Sequence, residues 1–413
     1  MDTKIYDVII IGAGPSACYL AMNLDNELNT LVIDKNDQIL KKFLLSGNGK
    51  ANITNICSHE ELLKNMIFGT KNFMYYAFKK HPQTEIIDFL KRHNLDFKQR
   101  ENTTKLHLLV NNNIFLNEVK KELNAKPNLE LSLKTSVVSV EKKEELFYVA
   151  TTNGEFISRN VVVATGGLSF SKFSGCTGDG YRIAKSFKIP VNKTFAMGIS
   201  LVLNKQLMQF DGLSGTSFSQ VRAKLYLNKK IIADETNDLM VTHNGLGGPI
   251  IRRVSGYISY YENKDLDLYL SLIDEKELLD ILNKIKRLHE LWDFFPQFTK
   301  KFIKTFYTNT NLDSLTDVKN LNKITKQSII NYFVNIHIND IMNKFDVEQA
   351  INTGGGINTK YIDPKTFMST EVKRLYFIGE VLDVNAKTGG FNLTVCYSSA
   401  LCCCDDINLK NKN

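Results

Sequence analysis

A short run of glycines near the start of the chain has the spacing to hold a dinucleotide. Gly12-Ala13-Gly14-Pro15-Ser16-Ala17 follows an apolar run at 8–11 and precedes a helical pattern that reaches about Leu24. A second apolar run at 31–33 then ends at Asp34. Strand, glycine turn, helix, strand and acid is the order of a nucleotide-binding βαβ unit. Gly12 suits the tight turn, Gly14 lets a pyrophosphate approach the backbone, and Ala17 lets helix and strand pack closely. Pro15 and Ser16 open a helix whose first N–H groups are free for phosphate. Asp34 is placed to accept hydrogen bonds from a ribose diol. A buried turn without a nucleotide is the competing reading.

Other polar and glycine-rich segments recur along the chain. Residues 41–55 bring together Lys42, Ser46, Gly47, Gly49, Lys50, Asn52 and Thr54, a composition that either follows an extended polar ligand or forms a surface loop. Lys42 or Lys50 is the cation expected near a pyrophosphate. A buried strand at 161–164 runs into Thr165-Gly166-Gly167, whose glycines expose peptide groups, and Thr177 and Asp179 follow in Gly175-Cys176-Thr177-Gly178-Asp179-Gly180 at a helix start. Near the end, Gly379-Glu380 leaves a short apolar strand and Gly389-Gly390-Phe391-Asn392 opens a helix. His243 and Asn244, in Thr242-His243-Asn244-Gly245, are the candidates for proton transfer and for orienting a carbonyl or water, with a structural loop bond as the alternative.

These segments need a large scaffold, and the chain has one. It is 413 residues long, with 43% apolar residues and a formal charge of +8. The lysines scatter instead of forming one stripe, which fits a solvated surface better than a nucleic-acid face. Seven cysteines form no CxxC pair, and Cys402-Cys403-Cys404 reads as buried packing late in a helix. His59, His81, His93 and His107 share no ligand spacing, and no metal site is expected. No apolar run is long enough for a membrane span, no secretory leader is visible, and a cytoplasmic location is expected.

The pattern of elements implies an α/β fold with a Rossmann-like domain interrupted by an insert. The expected division is 1–190 for the first part of the nucleotide domain, 191–265 for a β-rich insert and 266–330 for a helical lobe. Residues 331–345 return through the insert, and 346–413 complete the nucleotide domain. A small meander of strands is expected over 129–160, and 272–292 reads as a helical stretch. Trp292, Phe294, Phe295 and Phe298 read as core, with a substrate wall as the second reading.

Six stretches in order, DVIIIGAGPSA, KKFLLSGNGKANITN, VVVATGGLSFSKFSGCTGDGYRIA, THNGLGGPIIRRVSG, INTGGGI and YFIGEVLDVNAKTGGFNLTV, resemble the HI0933-like flavoproteins, also called YhiN-like or BaiN-like NAD(P)/FAD-dependent oxidoreductases. The resemblance covers nearly the whole chain. It implies a bound FAD in a fold of the two-dinucleotide-binding type, with a β-barrel-like and a helical portion inserted. It places Gly12, Gly14 and Asp34 at the ADP side, 46–55 and 165–167 along the cofactor, Glu380 by the ribityl–pyrophosphate region and 389–392 near the flavin end. The family commonly has Gly-Arg-Cys-Asn where this chain has Gly49-Lys50-Ala51-Asn52, so no redox thiol stands there. Its Gly-Arg-x-Phe-Pro segment is eroded around Lys105-Leu106-His107-Leu108.

The resemblance implies a soluble flavin oxidoreductase acting on a small organic substrate at the junction with the insert, reduction of an activated carbon–carbon double bond being the concrete case. NADH or NADPH is a transient donor in that reading, since no second glycine fingerprint announces a stable site; another redox partner is the alternative. An FAD-binding redox sensor and a flavin-dependent RNA-modifying enzyme are the competing classes.

Overall fold

The computed structural model describes residues 4–68, 70–100, 104–205, 207–262, 264–338, 341 and 345–411. Its contacts divide the chain into two compact units, Met1–Phe195 with Val347–Asn413, and Ala196–Asp346.

In the first unit β1 (Ile5–Ile11) leads through the glycine turn into α1 (Pro15–Asn23) and β2 (Thr30–Ile33). Next come α2 (Lys41–Leu44), β3 (Asn52–Asn55), β4 (Lys105–Leu108), β5 (Gly154–Val163), α3 (Asp179–Ser186), β6 (Leu375–Phe377) and α4 (Phe391–Asn411). β2, β1 and β5 are parallel neighbours, with Ile9 registered between Leu31 and Val161. Val8, Ile9 and Ile10 are wholly buried, the continuous apolar run expected of a parallel strand covered on both faces.

The expected meander resolves differently. Leu129–Ser132 lies parallel to β2 as an outer strand of the same sheet. Residues 154–163 form one strand, because GEFISRNVVV holds nothing after Gly154 that breaks it. Its first half pairs antiparallel with Leu146–Thr151, and Val161, Val162 and Val163 pair parallel with β6. One strand thus serves both a hairpin and the parallel sheet.

The closing helix α4 is buried along most of its length, Cys402, Cys403 and Cys404 included. Its hydroxyls bond one turn back, Thr394 Oγ1 to the Gly390 carbonyl at 3.1 Å and Ser399 Oγ to the Val395 carbonyl at 2.7 Å. Thr394 and Ser399 can therefore sit in this interior helix with their hydroxyl bonds met, whereas the buried Tyr397 hydroxyl has no partner. At its far end Cys404 Sγ donates to the Asn23 carbonyl, which ties α4 to the end of α1.

The second unit is built on a six-stranded antiparallel sheet, in the order 201–202, 245–247, 230–242, 217–227, 266–271 and 336–338. Leu266–Ser271 pairs in this sheet beside 217–227, so the segment expected to begin the helical lobe opens with a strand. The stretch 272–292 is not one helix. Glu275–Lys284, capped by the Asp274 carboxylate, stops at an extended Ile285. Glu290 then accepts from the amides of Lys286 and Arg287, starting a new turn. Trp292 packs against Phe298, Phe306 and Phe333 and donates to Tyr307 Oη at 2.8 Å, whereas Phe294 is exposed.

Candidate active site

The first unit holds a groove of about 820 Å³, its open mouth included, at the C-terminal ends of the parallel strands. Gly12, Gly14, Pro15, Ser16, Asp34, Lys42, Thr165, Gly166, Asp179 and Glu380 all line it. Gly12 has φ +105°, and a Cβ there would stand 2.5 Å from the Ala164 carbonyl oxygen, so only glycine fits. Gly14 caps α1 with no side-chain bond, and a Cβ on it would meet nothing within 4 Å. The groove side of Gly14 is therefore open space beside free helix amides.

Asp34 closes one end. Its Oδ2 accepts from the Ala13 amide and its Oδ1 from the Asn36 amide, each at 2.7 Å. Two oxygens carry about four lone-pair sites, so the carboxylate keeps capacity for hydroxyl donors. Lys35 beside it reaches Asp179 at 2.5 Å and also bonds Thr177.

At the other side Lys42 Nζ lies 2.6 Å from Glu380 Oε2 and 2.6 Å from Ser169 Oγ. Glu380 Oε1 also accepts from the Thr353 amide at 2.9 Å and from Ser169 at 3.1 Å. Four segments distant in sequence thus fix one carboxylate and one ammonium. Both side chains remain about one-fifth exposed, which leaves Lys42 able to meet an anion in the groove. Burial pushes the Cys176 thiol up. Burial, aided by Glu380, pushes the Cys396 thiol up to about 12. The two thiols lining the groove are therefore protonated and poor nucleophiles.

A second neighbourhood forms where β3 meets the start of α4. A Cβ on Gly390 would lie 2.4 Å from the Thr54 carbonyl oxygen, and Asn55 Nδ2 donates to the Gly389 carbonyl at 3.0 Å. Thr54 Oγ1 bonds Thr394 Oγ1 at 2.9 Å, and Asn392 Nδ2 reaches the Ala386 carbonyl at 3.2 Å. Ser46 Oγ donates to the Phe43 carbonyl, while Gly47 and Lys50 are exposed and Gly49 is partly so. α4 joins the two neighbourhoods: Cys396 lines the groove one turn beyond the helix start.

Several candidates turn out to serve packing. Ala17 and Phe391 are buried in the core, Thr54 faces α4, and Gly167 makes room for Thr353, whose Oγ1 would lie 2.4 Å from a Cβ there. Gly379 similarly makes room for Ser16. His243 and Asn244 belong to the second unit, in an exposed turn where the Asn244 carbonyl accepts from the Leu203 amide. The glycines beside them answer to backbone crowding, since a Cβ on Gly245 would stand 2.1 Å from the Leu201 carbonyl oxygen.

The sequence reading missed Asn112, Ser169 and Thr353. Asn112 is buried, accepts from the Ala51 amide at 2.8 Å and donates toward the carbonyls of Phe43, Leu44 and Ser46. It holds the whole loop over 43–51. Only its place ahead of a helical run marked it, as an N-terminal residue.

The open helix start, the glycine that no other residue can replace and the acid at the end of β2 fit the ADP half of a dinucleotide. The site and the parallel sheet define a Rossmann-type flavoprotein. The HI0933-like protein Rossmann domain model matches residues 6–406, and the chain belongs to that family of FAD-dependent oxidoreductases. It is 27% identical over 404 residues, 96% of each chain, to a ribosomal RNA dihydrouridine synthase of Haemophilus influenzae. It is 23% identical over 421 residues, 93% of this chain and 94% of the other, to a 3-dehydro-bile acid delta(4,6)-reductase of Clostridium scindens. In fold it resembles the 3-ketosteroid-delta4-(5alpha)-dehydrogenase of Rhodococcus jostii RHA1, with a TM-score of 0.51, 10% identity and coverage of 98% and 97%. Among the described residues no helix is long and apolar enough to cross a membrane, and no group of acidic, histidine and cysteine side chains is arranged to hold a metal.

Proposed function

We propose that this chain is a flavin-dependent reductase of a carbon–carbon double bond conjugated to a carbonyl. The supporting observation is the groove that brings Gly12, Gly14, Asp34, Lys42 and Glu380 together, in a chain whose relatives are described as making dihydrouridine and as reducing a delta(4,6) bile acid. The uracil ring and a 3-oxo steroid diene share one reactive unit, an alkene polarised by a carbonyl. When bound, FAD supplies hydride chemistry that no side chain can. The chain's own residues bind and orient it. The α1 amides and Lys42 would hold the pyrophosphate, Asp34 and Glu380 would accept from hydroxyls, and the glycine turns would give the cofactor room beside the backbone.

A uracil within RNA is the first substrate to examine. The relative described as acting on ribosomal RNA covers nearly all of both chains, and Lys98, Arg100 and Lys105 sit on the small sheet of β3, β4 and Phe97–Gln99. A reduced nicotinamide is the proposed electron donor. The test is anaerobic: protein loaded with FAD is reduced by NADH, NADPH or dithionite and then mixed with uridine-containing RNA or a 3-oxo-4,6-diene steroid. Rapid return of the oxidised flavin spectrum with one of them supports the reading. Full reduction followed by no reoxidation with any conjugated carbonyl substrate contradicts it and favours a redox sensor.

A further inference from the structure

We propose that Asn52 and His107 together form a recognition site for a cyclic imide edge, an N–H flanked by carbonyl groups. Asn52 on β3 and His107 on β4 are registered partners across an antiparallel pair. Side chains so placed project from the same face with Cβ atoms roughly 5 Å apart. Each carries a buried polar atom with no hydrogen-bond partner, Asn52 Oδ1 and His107 Nε2. A buried polar atom left unmet costs on the order of 1–3 kcal/mol, and two of them side by side mark a place that a ligand completes.

The surroundings say which ligand. The next registered pair on this face, Asn55 with Lys105, meets the glycine turn before α4. Asn55 Nδ2 donates to the Gly389 carbonyl at 3.0 Å, and Lys105 Cε lies 3.4 Å from the position of a Gly389 Cβ. Gly389 and Gly390 have φ +139° and +94°, so the turn stays free of side chains. Burial holds the His107 ring toward its neutral form, with Arg100 and Lys105 acting in the same sense and the Lys50 carbonyl opposing them.

A neutral ring that gives its proton to the Lys50 carbonyl leaves Nε2 as a lone pair. That lone pair accepts an N–H. The Asn52 carboxamide, whose oxygen and nitrogen exchange by a half-turn, then donates to the adjacent carbonyl. One acceptor beside one donor matches an imide edge. A phosphate or carboxylate needs donors at both positions, and a hydrocarbon leaves both unmet.

Two molecules present this edge, the pyrimidine ring of isoalloxazine and a uracil base. The inference rests on the function proposed above only for naming these two. The experiment compares wild type with Asn52→Ala and His107→Phe in two arms. One measures apoprotein affinity for FAD against FAD methylated at N3. The other measures affinity for a short RNA oligomer with one uridine against the same oligomer with 3-methyluridine. Wild type should bind the methylated form of one pair roughly tenfold more weakly, and both substitutions should remove the difference. The arm in which this happens identifies the ligand. His107→Leu, a smaller residue that likewise has no acceptor, replaces His107→Phe should the latter fail to fold. No discrimination by wild type in either arm, or unchanged discrimination in folded variants, overturns the proposal. If FAD does not bind at all, the function proposed above fails, and the RNA arm on apoprotein still decides this inference.

Discussion

The two polar neighbourhoods of the first unit differ in how complete they are. In the groove Asp34 is held by amides of its own βαβ unit, and Lys42 and Glu380 by partners from distant segments. On the β3–β4 pair, Asn52 and His107 keep unmet buried atoms. The difference teaches that the groove is held in shape by the protein alone, whereas the proposed imide site has polar atoms that the protein does not meet. It also separates two kinds of glycine. Gly12 is demanded by the protein's own backbone, while Gly14 faces open space and is free to meet a ligand.

The largest effect is expected where the built side is broken at its tightest point. Gly12→Ala forces a Cβ to 2.5 Å from a carbonyl oxygen at φ +105°, a strain of roughly 3 kcal/mol or more. It should abolish stoichiometric FAD and lower the melting temperature, read from absorbance and a thermal scan; Gly14→Ala should melt like wild type and lose only cofactor affinity.

Glu380→Ala comes next. It leaves the Lys42 ammonium, the Ser169 hydroxyl and the Thr353 amide without their acceptor, a cost of roughly 2 kcal/mol. FAD affinity should fall at least tenfold, with Glu380→Gln intermediate; an equal affinity by titration would remove Glu380 from the site. Asn112→Ala strips the loop over 43–51 of its central bonds. It should lower stability by about 2 kcal/mol in denaturant unfolding and sharpen the comparison by loosening the approach to Asn52 while leaving Asp34 intact.

The smallest effect lies at the far end of α4. Burial pushes the Asp405 carboxyl up, but hydrogen bonds from Lys80 and His81 outweigh it and hold its pKa below the ordinary range. A depressed folded pKa contributes stability above the unfolded value of about 3.9 and loses it as pH falls through the folded value. Asp405→Asn should therefore cost under about 1 kcal/mol at neutral pH and flatten the acid limb of the stability profile, with flavin affinity unchanged. A large loss of flavin would show that α4 transmits strain to the groove.

Much of the groove was legible in the sequence because its parts are local. Gly12, Gly14 and Asp34 stand within one βαβ unit, and their spacing is that of the nucleotide-binding fingerprint. Glu380 was visible as an acid leaving a short strand. What held it was not: Ser169, Thr353 and Lys42 reach it only through the fold, across 27 residues or more. The glycine-rich stretches have partners that local pattern does not carry. Gly167 leaves room for Thr353, and Gly245 for the Leu201 carbonyl. The strand at 266–271 was hidden by the strongly helical run after it, and the break at Ile285 depends on a pairing between Arg287 and Asp317 that no local pattern carries.

Reconstitution of the apoprotein with FAD, followed by competition with ADP, tests the central claim most directly. One FAD per chain, displaced by ADP and lost in Gly12→Ala, is the predicted result. Folded wild-type protein that takes up no flavin, or holds it indifferently to ADP, would contradict the placement of the cofactor's ADP half at the start of α1.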